Sequence, residues 1–312
     1  MLDVLYAVTA APFVDMARNL TFLAEVLFGG VAAGLMYSLV ALGFVLIFKA
    51  SGVFNFAQGV MVLFAALTLV GLLERGVPVV LALGLTTAVM VALAFAIERF
   101  VLRPLVNQEH IILFMATIGL NFFLEGFGEM LWGANVKKLD IGIPDRSFIV
   151  RGVQINQLEL TAAVTSAVLV ALLALFFQRT RIGRALRAVA DDHEAALSLG
   201  IPLKTIWVVV WSVAGVVAIV AGLMWGAKSG VQFSLSLIAL KALPVLILGG
   251  FESVPGAIVG GLIIGIGEKL GEVYWGPLVG GAIENWFAYV LALAFLLVRP
   301  QGLFGERIIE RV

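Results

Sequence analysis

The sequence predicts an all-α, polytopic integral-membrane bundle of about nine (eight to ten) transmembrane helices. Three observations predict it. The chain is 62% hydrophobic and only 13% charged, where soluble domains carry about one quarter charged residues. Its mean hydropathy is +1.11. Its 34 glycines are spread through apolar sequence, as suits helices packed closely in a bilayer. The formal net charge is zero, which leaves no basic footprint for nucleic acid. The chain has no cysteine, so disulfides and thiolate metal sites are excluded.

A helix needs about 20 apolar residues to cross the hydrocarbon core. Candidate spans run over 26–48, 56–73, 79–97, 111–132, 160–177, 206–225, 235–248, 255–271 and 281–298. The first is a long apolar run. The second opens on Asn55 and Gln58, with a break at Gly59. Amides in a span must find partners or line a wet cavity. These two therefore either cap the helix at the interface or mark a broken segment beside a translocation path. The fourth is interrupted by Gly119, Asn121, Glu125, Gly126, Gly128 and Glu129. Asn121 and Glu125 share a face at i, i+4. A carboxylate at the bilayer centre costs about 2.5–3.5 kcal/mol on insertion scales, so Glu125 is expected to be paired, protonated or hydrated. The seventh and eighth spans are short and broken by Gly and Pro. Lys241 lies early in the seventh, placed to snorkel outward, to pair with Glu125 or to meet a substrate carboxylate. In the eighth, Gly256, Gly260, Gly261 and Gly265 have the small-xxx-small spacing that lets backbones approach. Glu268, Lys269 and Glu272 are expected at its outer interface.

Residues 2–20 are apolar but carry Asp3, Pro12, Asp15 and Arg18. They predict an interfacial helix rather than a tenth span, and without a basic n-region they make a poor signal peptide. Lys and Arg gather on the side that holds residues 179–204, which makes that side cytosolic. The C-terminus is then cytosolic, and nine spans put the N-terminus outside. Residues 133–159 form a periplasmic loop, punctuated as turns by Asp140, Pro144, Asp145, Gly152 and Asn156. The whole chain, 1–312, reads as one integral-membrane domain.

Charge is densest at residues 183–200, between the fifth and sixth spans. Residues 185–199 are rich in Ala and Leu, strong helix formers. Gly200 suits a left-handed C-terminal cap, and Pro202 prevents continuation. Leu186, Val189, Ala190, His193, Ala196 and Leu197 fall on one face. Arg184, Arg187, Asp191 and Glu194 lie elsewhere around it. Such a helix either docks its apolar stripe in a partner's groove or is an ordinary solvated loop helix.

Four stretches carry a resemblance. Residues 194–200 (EAALSLG) resemble the EAA-x-x-x-G coupling loop of ABC-importer permeases. Residues 52–59 (GVFNFAQG), 248–261 (LGGFESVPGAIVGG) and 299–305 (RPQGLFG) resemble three signatures of one permease family. That family is the branched-chain amino-acid, amide and urea importer permeases, and the matches come in its order. Two departures stand out. Gln58 replaces the usual His, and Phe251-Glu252 replaces a small pair in the glycine turn.

The resemblance implies a transport subunit rather than an enzyme. Gly183, Arg184, Arg187, Asp191, Glu194, Ala195, Ala196 and Gly200 would couple it to two cytosolic ATP-binding subunits. ATP and Mg would be bound by those subunits, and this chain would hold no cofactor or metal. A homologous second permease or a second copy, and a periplasmic binding protein, would complete the assembly in a bacterial inner membrane. The substrate would be a branched-chain amino acid or a related amide, urea or small aromatic acid. The alternative is a secondary transporter or channel working through Glu125 and Lys241. Apparent phosphate-loop and dinucleotide motifs at 222–229 and 265–271 lack the required spacing.

Overall fold

A computed structural model describes residues 6, 8–105, 108–144, 146–191, 196 and 198–305. Among these, six helices are long and apolar enough to cross a membrane, and three shorter apolar helices accompany them. The chain is thus an all-α multi-pass bundle. The long helices are α2 (Leu20–Ser51), α4 (Val79–Ile97), α5 (His110–Trp132), α6 (Gln157–Arg179), α8 (Leu203–Ser229) and α10 (Val254–Leu270). π-helical turns extend α4 over Glu98–Leu102 and α10 over Gly271–Trp275. The shorter apolar helices are α3 (Gln58–Glu74), α9 (Ile238–Gly249, preceded by a 3-10 turn at Phe233–Leu237) and α12 (Ile283–Val298). The polar helix α7 spans Arg181–Asp191, and α11 is one turn at Gly276–Val279.

Burial separates the helices into two classes. In α2, 83% of the most apolar window is inside the protein, against 28% for α4 and for α5. α2 is therefore the central mast, and α4, α5 and α6 turn apolar faces outward. At about 1.5 Å per residue, its 32 residues reach about 48 Å, well past the bilayer core.

Small residues set the closest approach. A Cβ on Gly265 would sit 2.3 Å from Gly34 N, and one on Gly261 would sit 2.7 Å from Gly34 O. Gly256 and Gly260 bring α10 equally close to the main chain of α9 at Gly249 and Val245. This is close backbone packing of the small-xxx-small kind.

The eighth candidate span, expected to be short, is part of a 26-residue apolar helix, Val254–Val279. The second is the truncated one instead. The N-terminal helix α1 (Ala11–Arg18) has 8 residues, about 12 Å, too few to span. Outside the helices, Ser147–Val150 pairs antiparallel with Val153–Asn156. Arg151 (φ 51) and Gly152 (φ 88) turn this hairpin, as a type I′ turn requires. The sequence reading placed Gly152 in a turn but did not foresee these strands.

Candidate coupling surface and translocation path

Helix α7 begins one residue after α6 ends. Thr180 makes the corner: its hydroxyl donates to Phe176 O (2.6 Å) and accepts from Gly183 N (3.0 Å). A Cβ on Gly183 would lie 2.3 Å from Phe177 O, so only glycine fits there. Arg187 Nη1 donates to Phe177 O at 2.8 Å, a charge-assisted bond to the carbonyl end of α6. Arg184 reaches Arg179 O at 3.4 Å. Gly200 has φ +80, a left-handed conformation that disfavours any other residue.

The described part of the apolar stripe turns into this chain. Leu186, Val189 and Ala196 are 1%, 0% and 2% exposed, inside the main core of this chain. A helix tethered at both ends to spans finds their apolar surface first. Among the described residues, Arg181, Ile182, Arg184 and residues 198–200 remain outward. Asp191 closes α7, while Glu194, Ala195, His193 and Leu197 lie outside the described residues.

The glycine turn and the C-terminal motif meet beside α7. Leu303 N and Phe304 N donate to Leu248 O and Gly249 O, at 2.8 and 3.1 Å. Gly250 (φ +104) lets the two strands of chain touch. Ser253 caps α10 through Gly256 N (3.0 Å). Phe251 packs on Phe48 and Phe54, which accounts for a large residue where a small one was expected. Glu252 is exposed, and its carbonyl lies 3.4 Å from Lys49 Nζ.

Gly52 (φ 67) ends α2, and the chain then turns back into the protein. Asn55 and Gln58 are both 0% exposed, so they are not interfacial. Asn55 Oδ1 accepts from Ala57 N (3.1 Å), and its amide approaches Gln58 Oε1 (3.4 Å). Gln58 lies against Gly43, about two turns inside the end of α2. Its Nε2 is buried without a hydrogen-bond partner among the described residues. Thr117 Oγ1, unnoticed in the sequence, accepts from Phe56 N (3.0 Å) and pins this segment to α5. A Cβ on Gly59 would touch Ser236 O and Ala239. Thus α3 and α9 both start within the bundle, side by side.

A cavity of about 230 Å³ opens at that meeting point. Asn121 and Glu125 line it from α5, with Phe44, Phe54 and Phe56 opposite. Lys241 is elsewhere. It borders a second cavity of about 320 Å³ with Tyr37, Trp225 and Glu284, and Leu237 lines both cavities. Lys241 Nζ lies 3.7 Å from Glu268 Oε2, whose carboxylate accepts from Tyr37 OH at 3.0 Å. Glu268, expected at the outer interface, is 2% exposed. Intramembrane charges of opposite sign seek each other, and Lys241 finds Glu268 rather than Glu125. Asn121, Glu125 and Lys241 therefore do not form one site.

A family model described as "Branched-chain amino acid transport system / permease component" matches residues 26–299. The chain is 28% identical over 316 residues to the high-affinity branched-chain amino acid transport system permease protein LivH of Salmonella typhimurium. That alignment covers 95% of this chain and all of the relative. It is 29% identical over 304 residues to BraD, of the same description, from Pseudomonas aeruginosa, covering 92% and 97%. Among solved structures, PsaBC from Streptococcus pneumoniae in complex with Fab aligns with a TM-score of 0.46 at 13% identity, over 92% of this chain and 94% of that one.

Proposed function

Because the chain belongs to the family of permease components of branched-chain amino acid transport systems, we propose that it is the transmembrane subunit of an ATP-driven importer. Its cargo is a branched-chain amino acid or a related small solute. It works with a second permease (a homologue or a second copy), two cytosolic ATP-binding subunits and a periplasmic binding protein, in a bacterial inner membrane. ATP and Mg are handled by the ATP-binding subunits. The end that holds α7 faces the cytosol, and the hairpin faces the periplasm.

The observation that carries this reading is the anchoring of α7. It is bonded to the end of α6 through Thr180 and Arg187 and buried on the bundle through Leu186 and Val189. A push on α7 therefore moves the spans with it, as a rigid-body switch requires. Gly183, Arg184, Arg187, Asp191, Glu194, Ala195, Ala196 and Gly200 form the coupling segment. Within it, Gly183, Arg187 and Ala196 hold it to the bundle, while Arg184 and Gly200 are outward. The cavity between α3, α5 and α9 is this chain's half of the path, with Asn121 and Glu125 on its wall and the amides of Asn55 and Gln58 behind it. The exposed Phe122 and Phe233 at its rim are covered by the second permease.

The test is coupling. Glu194→Lys and Gly200→Val are expected to abolish uptake while the protein still inserts and folds. Normal uptake with intact ATPase stimulation in both variants would overturn the assignment.

A further inference from the structure

The cavity beside Lys241 has walls of unusual composition. Its floor is a stacked pair, Tyr37 and Trp225, with ring centroids 5.6 Å apart and planes 25° apart. A cation and a carboxylate, Lys241 and Glu284, border the same space. Lys241 Nζ donates to Glu284 O (3.0 Å) and lies 3.5 Å from Tyr37 OH. Its distance to Glu268 Oε2, 3.7 Å, exceeds hydrogen-bond reach. Glu284 Oε2 stands 3.6 Å from Lys269 Nζ, again a loose pairing. Lys228, the third lysine of the wall, is held at 2.7 Å by Glu159. Side chains of Lys241 and Glu284 keep 25% and 42% of their surface open, so a ligand can reach both.

We infer that this cavity binds the zwitterionic head of an α-amino acid with an apolar side chain. The carboxylate meets Lys241, the ammonium meets Glu284, and the side chain lies on Tyr37 and Trp225. A zwitterion satisfies both charges at once, and each gains from a charge-assisted bond. A single-charge ligand leaves one of them with only its loose partner, Glu268 or Lys269. The volume, about 320 Å³, lies at the small end of the roughly 300–1,000 Å³ range of ligand pockets. Leu237 lines both this space and the cavity with Asn121 and Glu125, so the bound amino acid sits next to the proposed path. The inference rests on the importer reading and assigns its cargo a binding site on this chain.

The chain has no cysteine, so Ser234→Cys, an exposed residue of this wall, reports on the cavity alone. The measurement is its rate of alkylation by an uncharged maleimide, in the permease–ATPase complex in nanodiscs. Saturating L-leucine is expected to slow labelling about tenfold, as nine-tenths occupancy does. L-leucinamide lacks the carboxylate and 4-methylpentanoate lacks the ammonium. Each is expected to slow it less than about twofold. Lys241→Gln should remove protection by leucine, and Lys241→Arg should restore it, which separates binding from a packing defect. No protection by leucine, or equal protection by all three compounds, overturns the site. The same preparation, given the binding protein, is assayed for ATP-driven leucine uptake. Uptake without protection removes this site and leaves the importer standing, whereas absent uptake in the unaltered chain removes the importer.

Discussion

Replacing Gly265 with alanine puts a methyl group where the main chain of α2 already is. Its Cβ would lie 2.3 Å from Gly34 N, 2.5 Å from Gly30 O and 2.5 Å from Gly34 Cα. All three are main-chain atoms, so no rotamer change relieves the contact. Carbon pairs settle at about 3.5–4.0 Å, so α2 and α10 must part by roughly 1 Å. Such a gap forfeits about a quarter to a half of each pair's dispersion energy. Over-packing of this kind costs about 1–3 kcal/mol. The upper end applies here, because α2 and α10 share the most extensive helix contact of the bundle. Gly126→Ala is the matched control: no atom lies within 4 Å of a Cβ there. Removing a helical glycine stabilises by up to about 1 kcal/mol. The assay is the fraction of monodisperse permease that survives heating in detergent. Gly265→Ala should lose stability while Gly126→Ala holds or gains. Equal behaviour of the two variants would refute the packing argument.

Three further outcomes are expected. Arg187→Ala removes the bond to Phe177 O, a charged hydrogen bond of about 1.5–3 kcal/mol; faster hydrogen exchange at the α6–α7 corner, with weaker ATPase stimulation, checks it. Arg151→Asn relaxes a left-handed position in the hairpin turn and should stabilise it by up to about 1 kcal/mol, seen as slower exchange across the two strands. Lys241→Met and Glu268→Gln should be non-additive by about 0.5–3 kcal/mol in a double-mutant cycle of thermal stability, because the two groups share one cluster with Tyr37.

Long apolar helices were legible because a span must satisfy its own backbone and so shows as an unbroken run. The candidate at 79–97 coincides with α4 (Val79–Ile97), and 111–132 differs from α5 by one residue. Helix interruptions were harder to place. Asn55 and Gln58 signalled a break, but the burial of both amides depends on packing against α5 and α9, far away in sequence. The proximity of Glu268 to Lys241 was not legible for a related reason. Glu268 lies near the end of α10, and a sequence ruler puts it at the interface. The π-helical turn after Leu270 carries the helix further, and Glu268 stays inside. The hairpin left a signal, β-branched residues around Arg151-Gly152, that an all-helical expectation passes over. The helix α7 was legible as an amphipathic element; the direction of its apolar face was not, because that depends on which apolar surface is nearest.

On the proposed function, this permease moves its cargo on ATP hydrolysed elsewhere, transmitted through α7. The direct measurement is L-leucine uptake into proteoliposomes that contain the permeases and ATPases, with the binding protein on the receptor side. Uptake is expected to require ATP and the binding protein, to persist in the presence of a proton ionophore, and to disappear in Glu194→Lys. Uptake driven by an ion gradient without ATP would contradict it.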